Sequence, residues 1–547
     1  MSSALPIAAA NPAAILGHGT QTSVLIAFLC FVGASLLLCV FAGPDRDEVD
    51  DFYTANRTLT PLQNGLALSG DYISAATMLG TTGIIALSGF DGIMLDVSTA
   101  LALGTLLVLA RPLRNAGRYT LGDIFALRAP GPAARIAAAV ATLAVSLPFL
   151  VVQLSGAGAA TALLLGLTSS GAQQTCIALI GTLMVFYTVL GGMKGTSLMQ
   201  IVKVVLVIGT MATTTLYVLS QFHWSPDELL TAAARGSGHP ATYLRSTSQL
   251  GVTASGPLNI IGLHITVVLG AACMPHMIMR INAVPDGATA RRSTRYAFGM
   301  VGIYSIALAV LGMGAAAMVG ARVISAVNPN GQASLLLLAG SLAGGPETTS
   351  GSILFTAVAC TVFVTVLAVV AGITLAAAAS LAHDVHAHVL RRGRIGQAQE
   401  VRAVRWAVLL FGLVGILVSV AAQGYNVQFL SMLAVTVAAS AVLPAVVHSL
   451  FWRGYNRTGL LWSVYGGAAL AIGLQLVSPT VSGGPGTLFP DLNFAWSPLQ
   501  SAGIVSIPAG FLLGWAGSRH GSRRQDAAAE VDQDAVELRV LTGAGAD

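Results

Sequence analysis

The sequence predicts an all-α polytopic membrane protein, and three observations carry that prediction. Of the 547 residues, 55% are hydrophobic and only 9% charged, whereas soluble domains carry roughly 25% charged residues. So few charges cannot cover the surface of a soluble protein this long, and mean hydropathy is +0.77. The apolar residues also gather into about thirteen runs near the ~20 residues that cross a bilayer. Finally, most basic residues fall in alternate loops between those runs.

The expected spans are 22–43, 61–86, 93–111, 133–155, 172–190, 197–220, 257–280, 295–320, 351–381, 404–422, 425–448, 458–478 and 499–517. Residues 1–21 form an N-terminal segment outside the membrane. The first run is read as a retained helix, because the charged stretch PDRDEVDDFYTANR follows it without a small-residue cleavage site. Span 2 is interrupted at GDYISAATMLG (Gly70 to Gly80), which carries an aspartate, two glycines and small hydroxyl residues. Such groups persist at membrane depth only when buried in protein or lining a wet cavity. Interrupted helices of this kind hold solutes and coupling ions in secondary transporters.

Span 3 brings a second intramembrane acid, Asp96, and span 4 an amide, Gln153. Span 7 contains LGAACMPH (Leu269 to His276), whose Gly270 and Pro275 mark a second interruption. Of the two longer outer loops, 221–256 and 321–350, the second contains QASLLLLAGSLAG, read as either a short helix over the outer mouth or a plain connection. The tail, 518–547, is polar and Ala/Asp-rich, and is read as disordered.

Charge placement orients the chain. Arg111, Arg114, Arg118, Arg128 and Arg135 follow span 3; Arg280, Arg291, Arg292 and Arg295 follow span 7; Arg391, Arg392, Arg394, Arg402 and Arg405 follow span 9. With an odd number of spans these loops share one side. The positive-inside rule then places the N-terminus outside and the C-terminus in the cytoplasm. Net charge is +5, but no basic run or aromatic-interleaved stripe points to nucleic acid. The five cysteines, Cys30, Cys39, Cys176, Cys273 and Cys360, lie in apolar runs without a CxxC. His383, His386 and His388 share no metal spacing with them, so no resident metal or cofactor is expected. No Walker loop or nucleophile elbow is present, which argues against an ATP-driven pump or an enzyme.

Several stretches resemble the sodium:solute symporter family, and within it the acetate permease (cation/acetate symporter) branch. They are FYTANRTLTPLQNGLALSGDYISAATMLG (Phe52 to Gly80), SGFDG (Ser88 to Gly92), RNAGRYTLGDIFALR (Arg114 to Arg128), VLGGMKGTSLMQIVKVVL (Val189 to Leu206), MPHMIMR (Met274 to Arg280) and LAVVAGITLAAAASLAHDVHAH (Leu367 to His388). The resemblance implies a leucine-transporter-like bundle of two inverted five-helix repeats, about 61–220 and 257–448, with extra helices at the ends. It implies a cation site at the carbonyls of Gly70 and Ile73, completed by a Ser/Thr pair on span 9. Here that pair falls at Ala368 and Val369, which lack side-chain oxygens; Thr365 lies one turn earlier, with Thr361 and Thr374 on the same helix. On the solute side it places Ser74, Ala75 and Ala76.

The residues themselves add Tyr72, Gln153 and Gly270 as candidate solute contacts. Asp71 is either a proton carrier or a structural partner of Lys203 or of freed N–H groups. The expected function is import of a small monocarboxylate, acetate first, across the cell membrane with a cation, sodium preferred to the proton. The alternatives are a proton-coupled pyruvate, lactate or propionate carrier, and a membrane sensor that binds without transport. The sequence leaves monomer and homo-oligomer open.

Overall fold

The computed structural model describes residues 48–545 apart from 75, 165–168, 247–255, 343–347, 424, 426–428, 485–486 and 522–531, with isolated residues between 26 and 43. The first expected span therefore lies largely outside the described residues. The second begins at helix α2 (Pro61–Tyr72), after the short α1 (Val49–Thr54). Pro61 opens α2, and Thr60 caps it by accepting from the Gln63 N–H at 3.3 Å while Gln63 accepts from the Thr60 N–H at 3.1 Å. The helix stops at Ile73, which is extended at φ −73°, ψ 98°. It resumes through one π turn at Ala76–Thr81 and runs into α3 (Thr82–Ser88).

Next come α4 (Phe90–Ala116), the short α5 (Leu121–Ala126), α6 (Pro132–Leu164) and α7 (Ser170–Gln221). The 52 residues of α7 extend about 78 Å at ~1.5 Å per residue, more than twice the ~30 Å hydrocarbon layer. They therefore hold two spans, as the sequence predicts. The break falls at Gly192, at φ 50°, ψ −151°, a conformation open to glycine and strained for other residues. Span 7 is α9 (Gly256–Gly270), a tight turn, an extended Met274 at ψ 135°, then α10 (Pro275–Ile281); α8 (Pro226–Gly236) precedes it outside the bundle.

The remaining helices are α11 (Gly287–Met318), α12 (Ala321–Val327), α13 (Ser334–Ser341), α14 (Thr349–Leu390), α15 (Gln397–Ala421), α16 (Phe429–Phe451), α17 (Arg457–Leu476), α18 (Gly503–Gly521) and α19 (Gln533–Thr542). Among the described residues, nine helices are long and apolar enough to cross a membrane. The LLLL segment does form a short helix, α13, with Leu335, Leu336 and Leu338 buried against its neighbours.

Two readings of the sequence are corrected. Part of the tail read as disordered is helical: α19 docks on the end of α4, where Asn115 donates to the Val540 carbonyl and Arg539 to the carbonyls of Asn115 and Ala116. Arg280, counted as a loop arginine, lies inside α10 and is buried at 2% exposure. Arg114 is buried too, donating to the Val284 carbonyl at 2.6 Å.

Candidate functional site

The interruption between α2 and α3 is built locally. Ser74 caps the resumed helix: its Oγ accepts from the Thr77 N–H at 3.1 Å, and its own N–H donates to Thr77 Oγ1 at 2.8 Å. The N-terminus behind it carries the positive end of the helix dipole, which favours an anion. On the other side of the break α2 ends, freeing the carbonyls of Gly70 and Ile73.

Those carbonyls are taken by the protein itself. Lys203 Nζ, on the second half of α7, donates to the Gly70 carbonyl and to the Ile73 carbonyl, the latter at 2.9 Å. Asp71 does not pair with Lys203. Its Oδ2 accepts from Arg280 Nε at 2.7 Å and its Oδ1 from Gln200 Nε2 at 2.6 Å. Arg280 also donates to Ser197 Oγ, and Gln200 to the Ala368 carbonyl at 2.8 Å. Asp71, Gln200, Lys203 and Arg280 are all buried. Two glycines make the approach possible: a Cβ on Gly70 would lie 2.6 Å from Gln200 Oε1, and one on Gly372 would lie 2.7 Å from Asp71 Oδ1.

The other expected residues divide. Thr365 Oγ1 donates along its own helix to the Thr361 carbonyl at 2.7 Å. Ala368 and Val369 sit in an apolar cluster with Leu154, Ile177 and Met184. Tyr72 Oη donates to the Thr99 carbonyl of α4 and is committed there. Gly270 is a packing position, since a Cβ there would lie 2.1 Å from the Val435 carbonyl oxygen. Ala75 lies outside the described residues, and Ala76 opens the π turn. Asp96 is buried on α4 and accepts from Ser305 Oγ at 3.2 Å.

Gln153 is the exception. It is 1% exposed, and neither its Oε1 nor its Nε2 has a hydrogen-bond partner among the described residues. An unpaired buried amide costs free energy, so its persistence points to a polar occupant. Phe149, one turn earlier on α6, stacks on His276 of α10 at a ring separation of 6.0 Å, so this part of α6 borders the second broken helix.

A second polar cluster lies at the arginine-rich end. Arg135 reaches Asp123 Oδ1 at 2.9 Å and Asp384 Oδ1 at 2.8 Å. Asp384 also accepts from Thr120 Oγ1 at 2.8 Å and Ser380 Oγ at 2.7 Å, and His383 pairs with Glu400 at 2.7 Å. Burial alone would raise the Asp123 carboxyl, but His383, Arg135 and the Tyr119 N–H hold it well below the usual carboxylate range. Asp123, His383 and Asp384 stand close enough to bind a metal, but Arg135 already bridges the two carboxylates and His383 faces Asp123 at 3.5 Å. The sequence shows His383 beside Asp384 on one helix, whereas Asp123 and Glu400 reach this histidine from separate elements and leave no local signal.

Known proteins resemble this chain in sequence and in fold. The family model described as sodium:solute symporter family matches residues 52–467. A monocarboxylic acid transporter of Corynebacterium glutamicum is 36% identical over 545 residues, covering 97% of both chains. An uncharacterized symporter of Bacillus subtilis is 38% identical, covering 95% of this chain and 98% of its own. A Na+-coupled sialic acid symporter, solved substrate-bound and outward-open, superposes with a TM-score of 0.68 at 14% identity, covering 91% of this chain and 97% of its own. That last likeness shows the fold alone, a leucine-transporter-like one.

Proposed function

The chain belongs to the sodium:solute symporter family, and on that premise we propose that it imports a small monocarboxylate, acetate first, by cation-driven alternating access in the cell membrane. In this reading the arginine-rich end faces the cytoplasm, and the two inverted repeats, about 61–220 and 257–448, rock about the broken helices. The observation that carries it is the interruption at Ile73–Ser74, where a helix N-terminus opens inside the bundle. A carboxylate suits that N-terminus, and small residues beside it leave room for a small solute only. The name of the Corynebacterium relative supports a monocarboxylate.

The test is counterflow of labelled acetate in proteoliposomes, with pyruvate, lactate and propionate as competitors. Entry exchanged by unlabelled internal acetate is expected; flat traces for all four acids would remove the reading. Saturable acetate binding without vesicle entry would identify a sensor instead.

A site test accompanies it. Gln153→Leu removes the unpaired amide and should raise thermal stability by about 1 kcal/mol. A hydrogen bond to a charged group contributes about 1.5–3 kcal/mol, so half-saturation for acetate should rise roughly ten- to hundredfold. A variant that is stabilised yet binds acetate normally would show that Gln153 does not touch the solute.

A further inference from the structure

The carbonyl pair where the resemblance places a metal ion already holds a cation, and that cation is part of the chain. Lys203 Nζ donates to the Gly70 carbonyl and, at 2.9 Å, to the Ile73 carbonyl. We propose that the Lys203 ammonium replaces the co-transported metal ion at this carbonyl pair, so that transport needs no sodium. The proposal rests on the transport reading above, and it reverses the sodium preference that the family resemblance implies.

The ligand inventory comes first. Hard cations are held by several oxygens converging on one point. Here the two freed carbonyls of α2 face Lys203, and the carbonyl of Ala368 across from them accepts from Gln200 at 2.8 Å. Ala368 and Val369 contribute no side-chain oxygen, which leaves the Thr365 hydroxyl, donating to the Thr361 carbonyl at 2.7 Å, one turn away from the expected pair. A sodium ion entering this pocket would have to displace a tethered ammonium or sit against it.

The charge inventory comes second. Asp71 on α2 and Arg280 on α10 neutralise each other at 2.7 Å, with the ring of His276 on α10 beyond them. The stretch of α14 from Thr361 to Thr374 carries no ionisable residue. Of the other helices packed on α7, α11 carries Arg291, Arg292, Arg295 and Tyr296 in its first three turns and Tyr304 further along. The ionisable groups of α6 and α15 are Arg135, Glu400, Arg402 and Arg405, and those of α1 are Asp50, Asp51 and Tyr53, all toward the arginine-rich end. The break therefore holds one negative and two positive charges when Lys203 is protonated. A bound monocarboxylate brings that sum to zero.

Two measurements on the unmodified protein test this. Purified protein is titrated with radioactive sodium: no saturable, displaceable binding is expected, and saturable binding overturns the proposal. This arm does not depend on acetate being the solute, so a flat acetate counterflow would remove the substrate reading while leaving this result decisive. In proteoliposomes, initial acetate uptake is read over protein-free vesicles. Acetate counterflow should run undiminished with potassium in place of sodium, and an inward sodium gradient at equal pH should not drive uptake. Sodium-driven uptake overturns the proposal.

Lys203→Arg keeps a positive charge on the carbonyls, so sodium-free counterflow should persist. A folded Lys203→Arg variant that required sodium would overturn the proposal. Should it not fold, both sodium arms still decide.

Discussion

Asp71→Asn is expected to reduce concentrative acetate uptake to the level of protein-free vesicles. Asp71 accepts from Arg280 at 2.7 Å and from Gln200 at 2.6 Å, and both ends of the ion pair are buried. Losing the carboxylate leaves the Arg280 guanidinium with Ser197 Oγ and the Met193 sulfur as its other contacts. Breaking one side of a buried pair costs about 3–5 kcal/mol, whereas removing both charges together is often close to neutral. The variant should therefore melt at lower temperature in a detergent melting assay. Asp71→Asn with Arg280→Gln should recover much of the lost stability.

Transport should not recover in the double variant. Arg280 lies on the half-helix after the second interruption, and Asp71 on the half-helix before the first. Their bond joins the two broken helices across the two repeats. Stability and transport thus separate: the first follows charge balance, the second the link itself. A double variant that regains concentrative uptake would show that the pair serves folding alone.

How much of this was legible depends on what kind of signal each feature leaves. Span lengths and breaks were legible because they are local. A run of apolar residues, a glycine pair around an aspartate, and a proline after Gly270 all act on the backbone within a few residues. The break at Gly192 was legible too, as the polar gap between two runs. The partners of Asp71 were not. Arg280 is 209 residues away and was read with the loop arginines, because its span was taken to end there. One signal was available: His276 and Arg280 are four residues apart behind Pro275, the pattern of one face of a short helix opened by proline. Lys203 was considered as a partner for Asp71, but which acceptor it chose, carboxylate or carbonyl, is decided by three-dimensional competition with Arg280. The α19 helix was missed because the tail was read as one polar, Ala/Asp-rich stretch. Its own QDAVELRVLT carries Val536, Leu538, Val540 and Leu541, and Val540 is buried where the helix docks by Asn115.

The latch at the arginine-rich end yields the second large effect. Arg135 bridges Asp123 at 2.9 Å and Asp384 at 2.8 Å, tying α5, α6 and the end of α14. Arg135→Ala removes the cation bonded to Asp384, which stays buried with hydroxyl partners and the His383 ring beside it. At about 3–5 kcal/mol for such a loss, the closed arrangement of this end should give way. A ligand-independent shift of a few kcal/mol is enough to make a minor conformer dominant.

The expected result is a protein biased toward opening at the arginine-rich end. Ala387→Cys, buried in the parent protein at 1% exposure, should then react with an impermeant maleimide added from that side, and net acetate uptake should fall. Arg135→Lys should rescue only in part, because one ammonium cannot reproduce a guanidinium that bonds two carboxylates. Gly122→Ala separates shape from charge. Its Cβ would lie 2.0 Å from Asp384 Oδ1, so it pries the latch apart with every ionisable group retained. If Gly122→Ala exposes Ala387→Cys as Arg135→Ala does, the contact itself gates this end; if only the arginine variant does, the gate responds to charge and not to packing.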